Sequence, residues 1–257
     1  MTDTTQKSLV WGIHSVRAVL SKHPKRIALL TLQTGRDDAR IEQLATLAGE
    51  HGVKVERKAA RELDHRCNGE LHQGALAELT PATALGEGAL DDILDAAGPM
   101  PLVLVLDGVQ DPHNLGACLR TADACGVHAV VVPRDRAASL SPIVRKVASG
   151  AAESVPLIQV VNLARTLKWL KERGLWLVGT DDEATQTVHA GDLKGPLAIV
   201  MGGEGAGMRR LTREHCDLLV SIPMAGVVES LNVSVATGVV LYEAIRQRSV
   251  LPNAKVQ

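Results

Sequence analysis

Hydrophobic and polar positions along the chain alternate between two patterns: short unbroken apolar runs, and stretches in which apolar residues recur every three to four positions. Before residue 80 this pattern predicts a small α/β unit, with helices over 15–21 and 40–52 and β runs over 26–32, 53–56 and 73–79. The second helix carries Ile41, Leu44, Ala45 and Ala48 on one face. From 80 to 101 the composition shifts to Pro, Ala, Gly and Asp, as in PATALGEGALDD and AAGPMP, which marks a boundary with a short helix at 90–97.

Beyond the boundary, strands are expected at LVLVLD (102–107), AVVVP (129–133), 157–161, 175–180, LAIVMG (197–202) and LLVSIP (218–223). Helices are expected over 115–125, 141–149, 162–173 and 233–248. Strands that are apolar throughout and separated by helices predict an α/β fold whose largely parallel sheet is covered by helices on both faces. The expected organisation is thus a domain over 1–80, a linker over 81–99 and a second domain over 100–257, with ligands at the carboxyl ends of its strands.

Composition narrows the options. Of the 257 residues 46% are hydrophobic, which excludes wholesale disorder. Three Trp, one Tyr and no Phe exclude a sheet that stacks RNA bases on rows of aromatics. The net charge of −1 hides a division. Residues 1–80 hold 12 basic against 10 acidic side chains, residues 81–99 none against four, and the remainder 16 against 15, so a polyanionic partner is permitted but not announced. Cys67, Cys118, Cys125 and Cys216 form no C-x-x-C pair or zinc spacing and are expected as reduced thiols. Cys118 and Cys125, seven apart, suit a helix core. No apolar stretch approaches the roughly 20 residues that span a bilayer, so a cytoplasmic protein with no membrane segment and no metal is expected.

Three strand ends hold the candidate chemistry. The run at 102–107 leads into Asp107, Gly108, Asp111, Pro112 and Asn114, with Asn114 suited to cap the next helix and Arg120 further along it. His113 could serve as a general base, but no carboxylate is paired with it by spacing, and a solvated or capping role competes. The run at 197–202 ends in MGGEGAGM, a glycine-rich turn that fits neither the G-x-G-x-x-G nor the P-loop register. Arg209, Arg210 and Arg213 follow it and suit either RNA phosphate or solvent. The third strand end leads into Ser230 and Asn232 before a long apolar helix they could cap. These ends offer packing and main-chain donors without the dense charge of a metal or phosphate site.

Together the motifs N-x-G-x-x-x-R-T-A (from Asn114), M-G-x-E-G (from Met201) and I-P-M-x-G-x-x-x-S-L-N-V-S-V-A (from Ile222) resemble the three ordered signatures of the SpoU (TrmH-like) branch of the SPOUT RNA 2′-O-ribose methyltransferases. The stretches WGIHSVRAVL (11–20) and LHQGALAEL (71–79) resemble the small ribosomal-protein-like RNA-binding domain that precedes the catalytic domain in several members. The resemblance implies a C-terminal trefoil knot, S-adenosylmethionine as cofactor, no metal, and a homodimer paired through the knot and the closing helix. It implies transfer to a guanosine ribose in the peptidyl-transferase region of 23S rRNA, free or in a pre-ribosomal particle. The alternatives are a tRNA ribose methyltransferase of the same family, or an assembly factor that binds rRNA without catalysis.

By the same resemblance Asn114, Arg120, Glu204, Ser230 and Asn232 are the catalytic set. Thr180, Gly202, Gly203, Ile222, Met224 and Leu231 are expected around the cofactor. A guanidinium is a very poor base, so Arg120 is expected to fix the target phosphate and stabilise the developing alkoxide while phosphate or water takes the proton. Glu204 is expected to hold Arg120 or a main-chain donor.

Overall fold

A computed structural model describes residues 8–36, 38–80, 83–205 and 207–249. The chain divides into two compact units, 1–82 and 83–257.

The first unit contains β1 (Ser8–Trp11), α1 (Ile13–Lys22), β2 (Ile27–Gln33), α2 (Ala39–Glu50), β3 (Val55–Lys58), α3 (Ala60–Arg66) and β4 (Ala75–Leu79). Its sheet runs β1-β4-β2-β3; β4 is antiparallel to both neighbours, and β2 and β3 are parallel. Val16 and Leu20 of α1 and Ile41, Leu44 and Ala48 of α2 bury the periodic faces against Leu30 and Leu32. Asp38 caps α2 by accepting from the Arg40 amide at 3.0 Å. Two elements escaped the pattern. The β1 strand is only four residues long, and α3 buries one aliphatic side chain, Leu63, too few to give a period. Arg66 at the end of α3 bridges Glu56 and the buried Glu78 of β4.

The second unit contains β5 (Leu85–Gly86), α4 (Ala89–Ala96), β6 (Leu102–Asp107), α5 (Pro112–Ala124), β7 (Ala129–Pro133), α6 (Pro142–Ala148), α7 (Ala151–Ser154) and β8 (Leu157–Val160). There follow α8 (Leu163–Glu172), β9 (Trp176–Thr180), β10 (Leu197–Gly202), α9 (Arg210–His215), β11 (Leu218–Val220) and α10 (Val233–Ser249). Seven parallel strands stand in the order β11-β9-β10-β6-β7-β8-β5. Strand alternation divides the core. Leu102, Leu104 and Leu106 face a cluster with Leu119 of α5 and Leu241 of α10, while Val103 and Val105 face Leu94 of α4 and Leu167 of α8. Residues 83–99 differ from the expected linker: β5 pairs with β8, and Leu90 and Leu94 of α4 are buried. Its two leucines at i, i+4 close one sheet face, a signal masked by the surrounding Ala, Gly and Asp.

From β6 the chain proceeds outward through β7 and β8, then crosses to β9 and inserts β10 beside β6. The strand order therefore reverses at the β6/β10 pair, where a crevice opens at the carboxyl ends.

Candidate active site

The three strand-end loops converge at that crevice through one closed hydrogen-bond ring. Asn114 Nδ2 donates to Glu204 Oε1 at 2.5 Å; Asn232 Nδ2 donates to the same oxygen at 3.1 Å and to Asn114 Oδ1 at 3.0 Å. Residues 90 and 118 positions from Asn114 thereby become neighbours.

Local sequence sets each member. Pro112 opens α5, and Asp111 rather than Asn114 caps it, accepting from the His113 amide at 3.2 Å. Asn114 thus lies inside the first turn, buried, with its amide free for the ring. Asn232 does cap α10: its Oδ1 accepts from the Ser234 amide at 2.9 Å and the Ser234 hydroxyl at 2.6 Å, leaving Nδ2 for the ring. Glu204 holds the two asparagines, not Arg120.

Beside the ring lies a cavity of about 710 Å³, within the range of small-molecule sites. Thr180, Gly202, Gly203, Ile222, Met224 and Leu231 all line it, as do Glu204, Ser230 and Asn232. Arg120 does not: it is exposed on α5 and, among the described residues, has no hydrogen bond or ion pair. Glycine is required at the cavity floor. A Cβ on Gly202 would overlap the backbone of Gly207 and Met208, with Gly207 Cα at 2.8 Å, and one on Gly203 would lie 2.5 Å from the Gly108 carbonyl oxygen. The loop folds back over its own strand through a Gly203–Gly207 bridge.

The wall is more acidic than the motifs suggested. Asp181, Asp182, Glu183, Glu204 and Glu229 line the cavity with Arg213 as the one cationic side chain among the described residues, and Arg213 pairs with Asp181 at 2.9 Å and Glu183 at 3.5 Å. Residues 181–183 lie at the end of β9, a strand end that carried no motif. Arg209 is bound to Asp107 and Arg210 to Glu214, so all three post-loop arginines are engaged within the chain. Asp107 was legible only as a lone charge ending an apolar strand. Burial pushes the Cys118 and Cys125 thiols up to about 11 and Cys216 up to about 12, which disfavours the thiolate form.

Residues 101–242 match the model of the SpoU rRNA methylase family. The chain belongs to that family. Residues 9–85 match a second family model, RNA 2′-O ribose methyltransferase substrate binding. Over 246 residues the SpoU chain is 56% identical to the 23S rRNA (guanosine-2′-O-)-methyltransferase RlmB of Pseudomonas putida, covering 96% of this chain and 99% of that one. It is 53% identical to the protein of that name from Escherichia coli over 241 residues, 94% and 99% of the two chains. Among solved structures it resembles the SpoU methyltransferase AviRb from Streptomyces viridochromogenes in complex with AdoMet. There the TM-score is 0.70 and the identity 27%, over 95% of this chain and 91% of that one.

Proposed function

We propose that this protein methylates the ribose 2′-hydroxyl of a guanosine in 23S rRNA, in the peptidyl-transferase region, using S-adenosylmethionine. The observation that carries this reading is the ring of Asn114, Glu204 and Asn232 at the mouth of the 710 Å³ cavity, in a chain more than half identical, nearly end to end, to relatives that bear that activity in their names.

The cavity residues fit the cofactor. Ile222, Leu231 and Val233 offer aliphatic surface for a purine, the glycines expose main-chain donors and acceptors, and the carboxylate wall suits a cation. When bound, S-adenosylmethionine supplies the electrophilic methyl. The chain's own residues position the nucleophile. Glu204, fixed by two amide donors, aims Asn114 and Asn232 at the ribose. Arg120, exposed outside the cavity and without a hydrogen bond or ion pair among the described residues, clamps the target phosphate and stabilises the 2′-oxygen as its proton leaves to phosphate or water. Transfer of that methyl from sulfur to the 2′-oxygen would need an in-line approach and a site that excludes water, which these residues would provide.

The first unit serves as the RNA-binding module, a role supported by the substrate-binding match over 9–85. Two copies pair through α10, whose Val235 and Tyr242 are exposed while Val240, Leu241 and Ala244 are buried on its opposite side. A trefoil knot is supported by the path of the last segment. Ser221 bonds Gln186 and bridges Thr187, and α10 returns along β10 until Gln247 reaches Gly191 and Leu193. The protein acts in the cytoplasm, where pre-ribosomal particles are found.

The test is to map 2′-O-methyl positions in total RNA from cells with and without the gene. Loss of one 2′-O-methylguanosine in 23S rRNA, restored by the wild-type gene, is expected. Loss of a tRNA mark would assign the tRNA alternative, and no lost mark would leave an RNA-binding assembly factor.

A further inference from the structure

Asp107, a buried carboxylate at the end of β6, belongs neither to the ring nor to the cavity lining. We propose that Asp107 is a positioning residue that clasps the glycine loop in its cofactor-binding shape and thereby sets cofactor affinity; the inference rests on the S-adenosylmethionine reading of the cavity. Both ends of the segment 203–209 are tied to this one residue. At one end the Gly203 amide donates to the Asp107 carbonyl oxygen at 2.8 Å. At the other, the Arg209 amide donates to Oδ2 at 2.9 Å and Arg209 Nε donates to Oδ1 at 2.6 Å, with Nη2 also on the carboxylate. Asp107 stands opposite Gly202 in the β6/β10 register, so the clasp closes on the strand from which the loop departs.

The described residues between the two ties, Gly203, Glu204, Gly205, Gly207 and Met208, all line the cavity. Glycines lose more freedom on ordering than any other residue, so a loop this rich in them does not hold a shape by itself. Tied at both ends to a rigid strand, it meets the ligand already ordered, and the ordering cost falls outside the binding step. The Asp107 side chain is 0% exposed, and an unpaired carboxylate there would be strongly disfavoured. The Arg209 side chain is 50% exposed and brings its charge from the solvent side. The pair therefore acts as a unit: the buried anion orients the main chain, and the arginine makes the buried anion tolerable.

The experiment compares wild type, Asp107→Asn, Arg209→Met and the double variant as full-length protein. Calorimetric titration with S-adenosylmethionine, thermal unfolding without ligand, and amide hydrogen exchange of the ligand-free protein are read in parallel. Each single variant should weaken cofactor binding roughly tenfold or more, and the double variant should lose no more than the worse single one, as for residues of one unit. Exchange protection of 203–209 should fall in the ligand-free variants while β6 and β10 stay protected. In steady state the cofactor KM should rise by a similar factor, with kcat at saturating cofactor within about threefold of wild type, a split that general loss of fold would not give. Unchanged affinity, strictly additive losses, or a lowered unfolding midpoint with intact affinity and loop protection would overturn the proposal. Should Asp107→Asn fail to fold, Arg209→Met decides alone, because its side chain is half exposed. If the wild type itself bound no S-adenosylmethionine, the cofactor reading would fail, while hydrogen exchange of the loop would still decide whether the clasp exists.

Discussion

Replacing Gly202 with alanine adds one methyl group at the cavity floor, where the receiving atoms are main chain. The new Cβ would lie 2.8 Å from Gly207 Cα and overlap Gly207 C and Met208 N, against an ordinary carbon contact of about 3.5 Å. No side-chain rotation relieves this, so the loop must retreat by on the order of 1 Å, and the Gly203–Gly207 bridge and the main-chain contacts to a bound cofactor retreat with it. Overpacking of this type costs about 1–3 kcal/mol, which in a unit of this size lowers the unfolding midpoint by roughly 2–10 °C. Losing two main-chain contacts at about 1 kcal/mol each weakens cofactor binding roughly 30-fold. The assay is calorimetric titration of S-adenosylmethionine with thermal unfolding alongside. The control is Gly195→Ala, where a Cβ meets nothing within 4 Å. If Gly202→Ala bound the cofactor within about twofold of wild type, the assignment of this loop as the cavity floor for the cofactor would be wrong.

Four further outcomes follow from the same geometry. Arg120→Ala should lower methyl transfer about a hundredfold while cofactor affinity stays near wild type, since the side chain lies outside the cavity; equal loss of both in turnover and titration assays would refute its assignment to the RNA side. A fragment beginning at Thr83 should fold and bind cofactor, whereas one beginning at Pro99 strips the buried Leu90 and Leu94 from the sheet and should lose roughly 4 kcal/mol or more in denaturant titration. Among the described residues five carboxylates and one arginine line the cavity, so the cationic cofactor should bind tighter than neutral S-adenosylhomocysteine by roughly fivefold at 0.15 M salt and by more at low salt; a salt-independent ratio would count against the acidic wall. Burial, aided by nearby Arg248, holds the His128 imidazole below its ordinary 6.5, so its contribution to stability is present above pH 6.5 and lost as pH falls below it; unfolding midpoints from pH 7.5 to 5 should slope less in His128→Gln, and equal slopes would refute this.

Much of the fold was legible because its strands are buried on both faces. LVLVLD, AVVVP and LAIVMG, apolar except for the terminal Asp107, coincide with β6, β7 and β10, and the amphipathic α2 and α8 lie within two residues of their predicted ends. The run at 218–223 was too long: β11 stops at Val220, and Ser221 turns to bridge Thr187 instead of extending the strand. Asn114 was misplaced as a helix cap because cap preference is shared by Asp and Asn, and only the fold chose Asp111.

By itself the sequence determined the apolar runs, their helical partners and the residue types at three strand ends, since these depend on spacing within a few residues. Which side chains meet was decided only by the tertiary structure. Glu204 sits between Asn114 and Asn232 because strand order reverses at β6/β10 and brings loops more than a hundred residues apart to one crevice. The pairing of Asp107 with Arg209, 102 residues away, has the same origin. Local periodicity carries no information about such a crossing, and burial of both sheet faces, which fixes the order of the strands, exists only once the chain has packed.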